Sequence, residues 1–171
     1  MRLQSDSEIN GKIRKKGKVL SWFNVYPFFL IHMGAFGLSG FFMAYSKDGP
    51  SIGFLYAHGG LAIFVYCIFY LAIFGKDDVK WMFINAALGL FGIYSEIGWI
   101  LSFFGTEIND YPIQVHVIPF IYYVLYTFLL RQLVLDITHA REDEDKKRKV
   151  ETAYVAISSL VYLIFTLKHF L

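Results

Sequence analysis

The chain has 171 residues, of which 56% are hydrophobic and 19% are aromatic, and its formal net charge is +2. Soluble domains average about 45–50% apolar residues even when glycine is counted, so this composition is typical of a membrane protein. The single cysteine, Cys67, excludes an intrachain disulfide and any CxxC redox or zinc-ribbon motif. The length leaves room for one compact bundle without a separate soluble domain.

The apolar residues collect in long runs, and a run of about 20 residues is enough to cross the hydrocarbon core of a bilayer as a helix. In chain order, the predicted spanning helices cover residues 19–45, 52–74, 81–104, 113–134 and 154–171. Turn and charge signals separate these runs, beginning with Lys47-Asp48-Gly49-Pro50 after the first. The sequence therefore predicts an all-α fold, an integral membrane bundle of five transmembrane helices in which residues 19–171 form a single domain.

The distribution of basic residues predicts the orientation of this bundle. Residues 1–18 form a basic segment with six lysines and arginines, loop 75–80 carries two, and segment 135–153 carries five. The loop before residue 52 carries Lys47 alone, and loop 105–112 carries none. The positive-inside rule then places the N-terminus in the cytoplasm and the C-terminus outside, with a plasma or inner membrane as the expected location.

The acids and bases of residues 142–149 are spaced four residues apart, from Glu142/Lys146 to Asp145/Lys149. Such pairs stabilise a solvated helix, so we expect the fourth helix to continue as a charged cytoplasmic extension at residues 135–150. Because the acids neutralise the bases, this segment does not favour a nucleic-acid partner.

Glu96 lies inside the apolar run 81–104, where a carboxylate is costly unless it is paired, protonated or facing water. His32, His58 and His116 also fall in apolar runs or at their ends. Helix rise puts His116, His58 and Glu96 at depths of about 5, 9 and 12 Å from the outer surface, and His32 at about 20 Å. We therefore predict a polar column that opens toward the outer face, with Glu96, His58 and His116 as its catalytic residues.

Helical periodicity adds further candidates to this column. In the third run, polar and small residues recur every three or four positions through Glu96, which predicts an inward-facing stripe. Similar stripes occur in the first, fourth and fifth runs. The predicted substrate-binding residues from these stripes are His32, Asn85, Trp99, Tyr123 and Tyr162.

The first interpretation of the column is an enzyme that uses acid–base chemistry on, or binds, a lipid-like substrate such as an isoprenoid or a sterol. Glu96 would donate a proton, and His58 or His116 would be the complementary base. The second interpretation is a metal or haem protein. His58, Glu96 and His116 could hold zinc or iron, and the two histidines could be the axial ligands of a haem b.

Two further interpretations remain open from the sequence. Glu96 and the histidines could pass protons as part of a transporter or relay. Alternatively, the chain could be a non-catalytic subunit or assembly factor of a larger membrane complex, because a ridge of small residues (Gly34, Gly37, Gly40) suits helix–helix assembly. The expected partners are membrane lipid and either a second copy of the chain or other membrane subunits.

Overall fold

A computed structural model of the chain describes residues 3, 6–9 and 12–170. Strands β1 (Ser7–Ile9) and β2 (Lys12–Arg14) form an antiparallel hairpin in which Glu8 lies opposite Ile13. Leu3 is 1% exposed, and its backbone bonds to those of Gly17 and Lys18. The basic N-terminal segment therefore folds back on itself just before the first helix.

The rest of the described chain forms helices joined by short loops, and the all-α fold agrees with the sequence prediction. The helices are α1 (Trp22–Tyr45), α2 (Ile52–Phe74), α3 (Lys76–Val79), α4 (Trp81–Ser102), α5 (Val117–Ile137) and α6 (Glu144–Phe170). Two 3₁₀ turns, Ile108–Asp110 and Ile113–His116, connect α4 to α5.

The predicted turn signals fix both ends of α2. The Ser51 hydroxyl accepts a hydrogen bond from the backbone N–H of Phe54 at 3.3 Å, which caps the start of the helix. Gly75 ends the helix with a φ of 84°, a conformation that residues with a Cβ rarely adopt. The short acidic helix α3 then turns the chain toward α4.

The structure corrects the prediction of one charged helical extension at residues 135–150. Helix α5 ends at Ile137, His139 has a φ of 53°, and α6 begins at Glu144. The chain turns here because the side chain of Arg141 folds back onto Asp136, with its Nε 2.6 Å from the carboxylate. The charged residues 144–150 therefore form the first turns of α6.

Helix α5 is the centre of the bundle and packs against α1, α2, α4 and α6. Helix α1 also packs against α2, and α4 packs extensively against α6. Phe128, Leu129 and Leu135 of α5 are fully buried. The hydroxyl of Tyr70 on α2 donates a hydrogen bond to the carbonyl of Leu125 at 3.3 Å, which ties α2 to this core.

Four helices are long and apolar enough to cross a membrane, and a fifth qualifies if Lys76–Leu90 and Tyr94–Ser102, inclined by 54°, form one span. The outward faces of the bundle carry large apolar side chains, for example Phe64 at 62% and Phe83 at 78% exposure. Apolar surface of this extent is typical of a protein surrounded by lipid. The architecture is therefore that of an integral membrane protein with four to five apolar helices.

Successive long helices run in opposite directions, so their ends meet in two groups. The hydroxyl of Tyr26, near the start of α1, lies 2.5 Å from the carboxylate of Asp136, near the end of α5. The hydroxyl of Tyr45, at the end of α1, lies 2.8 Å from Nδ1 of His116, just before α5. We call the first group of helix termini the ion-pair end and the second the loop end.

Candidate functional site

A crevice of about 230 Å³ lies between α1 and α4, with α5 as its floor. Its lining includes Gly34 and Gly37 from α1 and Glu96 from α4. A Cβ at either glycine would meet no atom within 4 Å, so the missing side chains keep the α1 wall open. We call this space the Glu96 crevice.

The Glu96 crevice is apolar apart from one carboxylate and a row of tyrosines on α5. Glu96 is the only charged side chain among the described residues that line it, and Tyr122, Tyr123 and Tyr126 supply hydroxyl groups. Among the described residues, no hydrogen bond or ion pair to the Glu96 carboxylate is found. An acid without a partner in an apolar space is in its neutral form or binds a ligand group that compensates its charge.

Tyrosines from two helices meet beside Glu96. The hydroxyls of Tyr123 on α5 and Tyr162 on α6 are hydrogen-bonded to each other, and Tyr123 lines the crevice together with Glu96. Two glycines of α4 allow this approach. A Cβ at Gly89 would lie 3.2 Å from the Tyr123 ring, and one at Gly92 would collide with the Tyr162 ring.

The histidines predicted as the partners of Glu96 lie elsewhere. His58 is exposed on α2, where its ring stacks on Phe54 at 5.9 Å. The adjacent Gly59 faces Ile118 of α5, so the turn of the helix directs His58 away from the bundle. The reason is topological, because α2 packs on α1 and α5 whereas α4 packs on α5 and α6.

His116 is half-buried at the loop end and is held by the hydroxyl of Tyr45 rather than by Glu96. It is not among the residues that line the Glu96 crevice. Across the described part of the chain, which includes His58, Glu96 and His116, no group of three or more His, Cys, Asp or Glu residues could hold a metal ion. The structure therefore does not bring the predicted metal ligands together.

The predicted substrate-binding residues divide into two groups. Tyr123 and Tyr162 lie beside Glu96, and Asn85 is buried on the same stripe of α4, at 2% exposure. His32 is exposed, with Nδ1 2.9 Å from the carbonyl of Phe28 on its own helix. Trp99 is 47% exposed and packs on Phe103 and Phe165, so it faces outward.

Sequence reasoning missed a network of charged side chains at the ion-pair end. It consists of Asp78, Arg131, Asp136, Arg141 and Glu151. Arg131 is 1% exposed, pairs with Glu151 and Asp78, and lies over the Trp81 ring at 4.1 Å. We call these five residues the ion-pair network.

Arg141 connects α3, α5 and the loop before α6 within this network. It contacts Asp136 at 2.6 Å, Asp78 at 2.9 Å and the Gln132 side-chain oxygen at 2.8 Å. Burial alone would lower the pKa of the Arg141 guanidinium, but its hydrogen bond to Asp136 and the neighbouring negative charges raise that pKa above its ordinary value. Arg141 therefore stays charged and fixes α3 and α5 relative to the loop before α6.

Several buried polar atoms between the network and Glu96 have no hydrogen-bond partner among the described residues. They include both amide atoms of Asn85 and the Nε and Nη1 atoms of Arg131. An unpaired buried polar group costs about 1–3 kcal/mol. Native proteins therefore satisfy such groups with ordered water, and this part of the bundle has polar surroundings that suit it.

A second cavity, of about 520 Å³, lies at the loop end. Phe41 lines both this cavity and the Glu96 crevice. Lys47, Asp48 and Thr106 give the outer cavity a polar rim. The two spaces therefore adjoin at one aromatic side chain.

One signal could have revealed the network from the sequence. Arg131 and Asp136 fall at the end of an apolar run, and the acidic pair Asp77-Asp78 precedes another run. Opposite charges at the same end of adjacent helices predict ion pairs, but the sequence does not say which helices are adjacent.

Comparison of the chain with known protein families, characterised proteins and solved structures finds no match.

Proposed function

We propose that the chain binds a lipid-like molecule, such as an isoprenoid or a sterol, in the Glu96 crevice, and that Glu96 donates a proton or hydrogen bond to the polar or unsaturated part of that molecule. The single observation behind this proposal is a lone carboxylate in an apolar crevice between α1, which is long and apolar enough to cross a membrane, and α4, which belongs to the bent pair. Pockets for small molecules commonly combine an apolar lining with a few convergent polar groups.

The proposal also includes an orientation of the protein in the bilayer. The basic N-terminal segment, α3 and the loop before α6 meet at the ion-pair end, so we place that end in the cytoplasm and count α4 as the fifth span. The crevice then lies nearer the outer surface, because Glu96 is six residues from the end of α4 at Ser102. Lipid is the solvent at this depth, which makes a lipid-like molecule the natural occupant.

A photoreactive sterol and a photoreactive prenyl alcohol, each added to the purified protein in nanodiscs, test the proposal. We expect one of them to cross-link near Ile97 and Ile100, which line the crevice. Gly37→Leu should abolish this labelling without unfolding the protein, because its side chain would fill empty space on the α1 wall.

Glu96→Gln tests the acidic proton without changing the size of the side chain. It replaces the acidic O–H donor with a weaker amide N–H donor, so we expect the protein to fold while its retention of the cross-linker falls by up to about tenfold, the loss of one buried hydrogen bond to an acidic group. Glu142→Gln, at an exposed position outside the crevice, is the matched control. Equal labelling of the Gly37→Leu variant and the unmodified protein would refute the crevice as the binding site.

A further inference from the structure

Polar side chains from three helices share a common interface. On α4 this face carries Trp81, Asn85, Gly89, Gly92 and Glu96, which advance by three or four residues and span about 22 Å, and its two glycines face the tyrosines of α5 and α6. The facing positions are Arg131, Thr127 and Tyr123 on α5, and Glu151, Tyr154 and Tyr162 on α6. We call the polar members between the ion-pair network and Glu96 the polar seam: Asn85, Thr127, Tyr154, Tyr123 and Tyr162.

We infer that protons reach and leave Glu96 along this polar seam, which connects the Glu96 crevice to the ion-pair network. The inference deepens the proposed function, because it assigns a proton source to the acidic group of the crevice, but the route does not require that a ligand be bound.

Packing and one hydrogen bond define the half of the route nearest Glu96. Glu96 and Tyr123 line the same crevice, and the hydroxyls of Tyr123 and Tyr162 are bonded to each other. The hydroxyl of Tyr154, on the same face of α6, donates to the backbone carbonyl of Thr127 at 3.1 Å. Hydroxyl groups both donate and accept, so the Tyr123–Tyr162 pair, joined by ordered water to Glu96 and to Tyr154, can pass a proton without a lasting charge.

Asn85 lies in the half of the proposed route that is nearest the ion-pair network. It lies one helical turn from Trp81, which stacks on Arg131. Both of its amide atoms are buried without a hydrogen-bond partner among the described residues, as are Nε and Nη1 of Arg131, although Nη1 lies 3.8 Å from the Asp78 carboxylate. Ordered water between these atoms would satisfy all of them and would join the network to the hydroxyl chain.

The apolar barrier at the loop end disfavours the alternative route. The outer cavity is separated from Glu96 by Phe41, Leu101 and Ile97, none of which can carry a proton. Polar side chains inside a membrane protein are costly and usually functional. Polar side chains continue from Glu96 toward the ion-pair end, whereas Phe41, Ile97 and Leu101 interrupt them between Glu96 and the polar rim of the outer cavity, and this difference assigns the direction.

The groups that face Glu96 leave few other proton acceptors. Helix α5 offers Tyr122, Tyr123 and Tyr126, and α6 offers Tyr162. The α1 residues that line the crevice carry no titratable group. Each transfer moves one proton from the Glu96 carboxyl to the neighbouring oxygen, which releases its own proton to the next group. The reverse rotation of the hydroxyls then resets the chain.

Hydrogen–deuterium exchange of the Glu96 carboxyl tests the route. The protein in nanodiscs is transferred to D₂O, and infrared difference spectroscopy follows the carboxylic band that Glu96→Gln removes. We expect Tyr162→Phe and Asn85→Leu to slow this exchange about tenfold or more, because each removes a relaying group. Tyr94→Phe is the matched control, since Tyr94 is exposed on α4 and does not line the crevice.

Phe41→Ala tests the apolar barrier, because it opens a path from Glu96 toward the outer cavity. We expect Phe41→Ala to restore faster exchange in the Tyr162→Phe protein, and a rate that stays slow would show that Phe41 does not close the outer route. Exchange at the original rate in Tyr162→Phe and Asn85→Leu, or the absence of any band assignable to Glu96, would overturn the inference. If neither photoreactive lipid labels the unmodified protein while Tyr162→Phe and Asn85→Leu still slow the exchange, the proposed function alone is refuted.

Discussion

The close approach of α4 to α6 at Gly92 can be tested with a pair of substitutions on one helix. A Cβ at Gly92 would collide with the ring of Tyr162, whereas a Cβ at Gly98, six residues further along α4, would meet no atom within 4 Å. Gly92→Ala and Gly98→Ala therefore make the same chemical change in two different surroundings.

The two substitutions should change the free energy of unfolding differently. In a helix interior, alanine stabilises the folded state by about 0.5–1 kcal/mol relative to glycine, and Gly98→Ala should show this gain. Overpacking of a filled interface costs about 1–3 kcal/mol, so Gly92→Ala should be less stable than Gly98→Ala by about that amount. At roughly 1.4 kcal/mol per factor of ten, the unfolding equilibria of the two variants should differ about five- to 150-fold.

Reversible unfolding in mixed detergent micelles, followed by circular dichroism, measures this difference. Combination with Tyr162→Ala provides the control, because removal of the ring should eliminate the steric cost of Gly92→Ala and leave a coupling energy of about 1–3 kcal/mol. Equal stability of Gly92→Ala and Gly98→Ala would show that α6 does not pack on α4 at this point.

Other predictions concern the ion-pair network and the histidines. Arg131→Ala should destabilise the fold by about 3–5 kcal/mol, because it leaves Glu151 and Asp78 without their buried partner. Arg148→Ala, which removes an exposed pair at 3.6 Å, should change unfolding by less than about 0.5 kcal/mol in the same assay. His58→Ala should leave lipid labelling unchanged, since the exposed imidazole does not line the crevice, and reduced labelling would contradict this placement.

The sequence by itself determined where the apolar helices lie and which residues share a helix face, but it did not reveal the break between α5 and α6. Runs of apolar residues long enough for a span, and the breaks at Gly49-Pro50 and Gly75, depend on local chemistry, so they could be located without coordinates. The stripe on α4 through Asn85 and Glu96 was predicted for the same reason, because the helical repeat places these residues on one side.

Only the tertiary structure decided which faces meet. Periodicity puts His58 and Glu96 each on a face of its own helix, but the central position of α5 separates α2 from α4, so the imidazole and the carboxylate do not come together. The same packing joins Tyr123 to Tyr162 and Arg131 to Glu151, residues that lie 39 and 20 positions apart. Contacts between helices depend on the order and the angles in which the helices pack, and the helical repeat of a single segment contains no information about either.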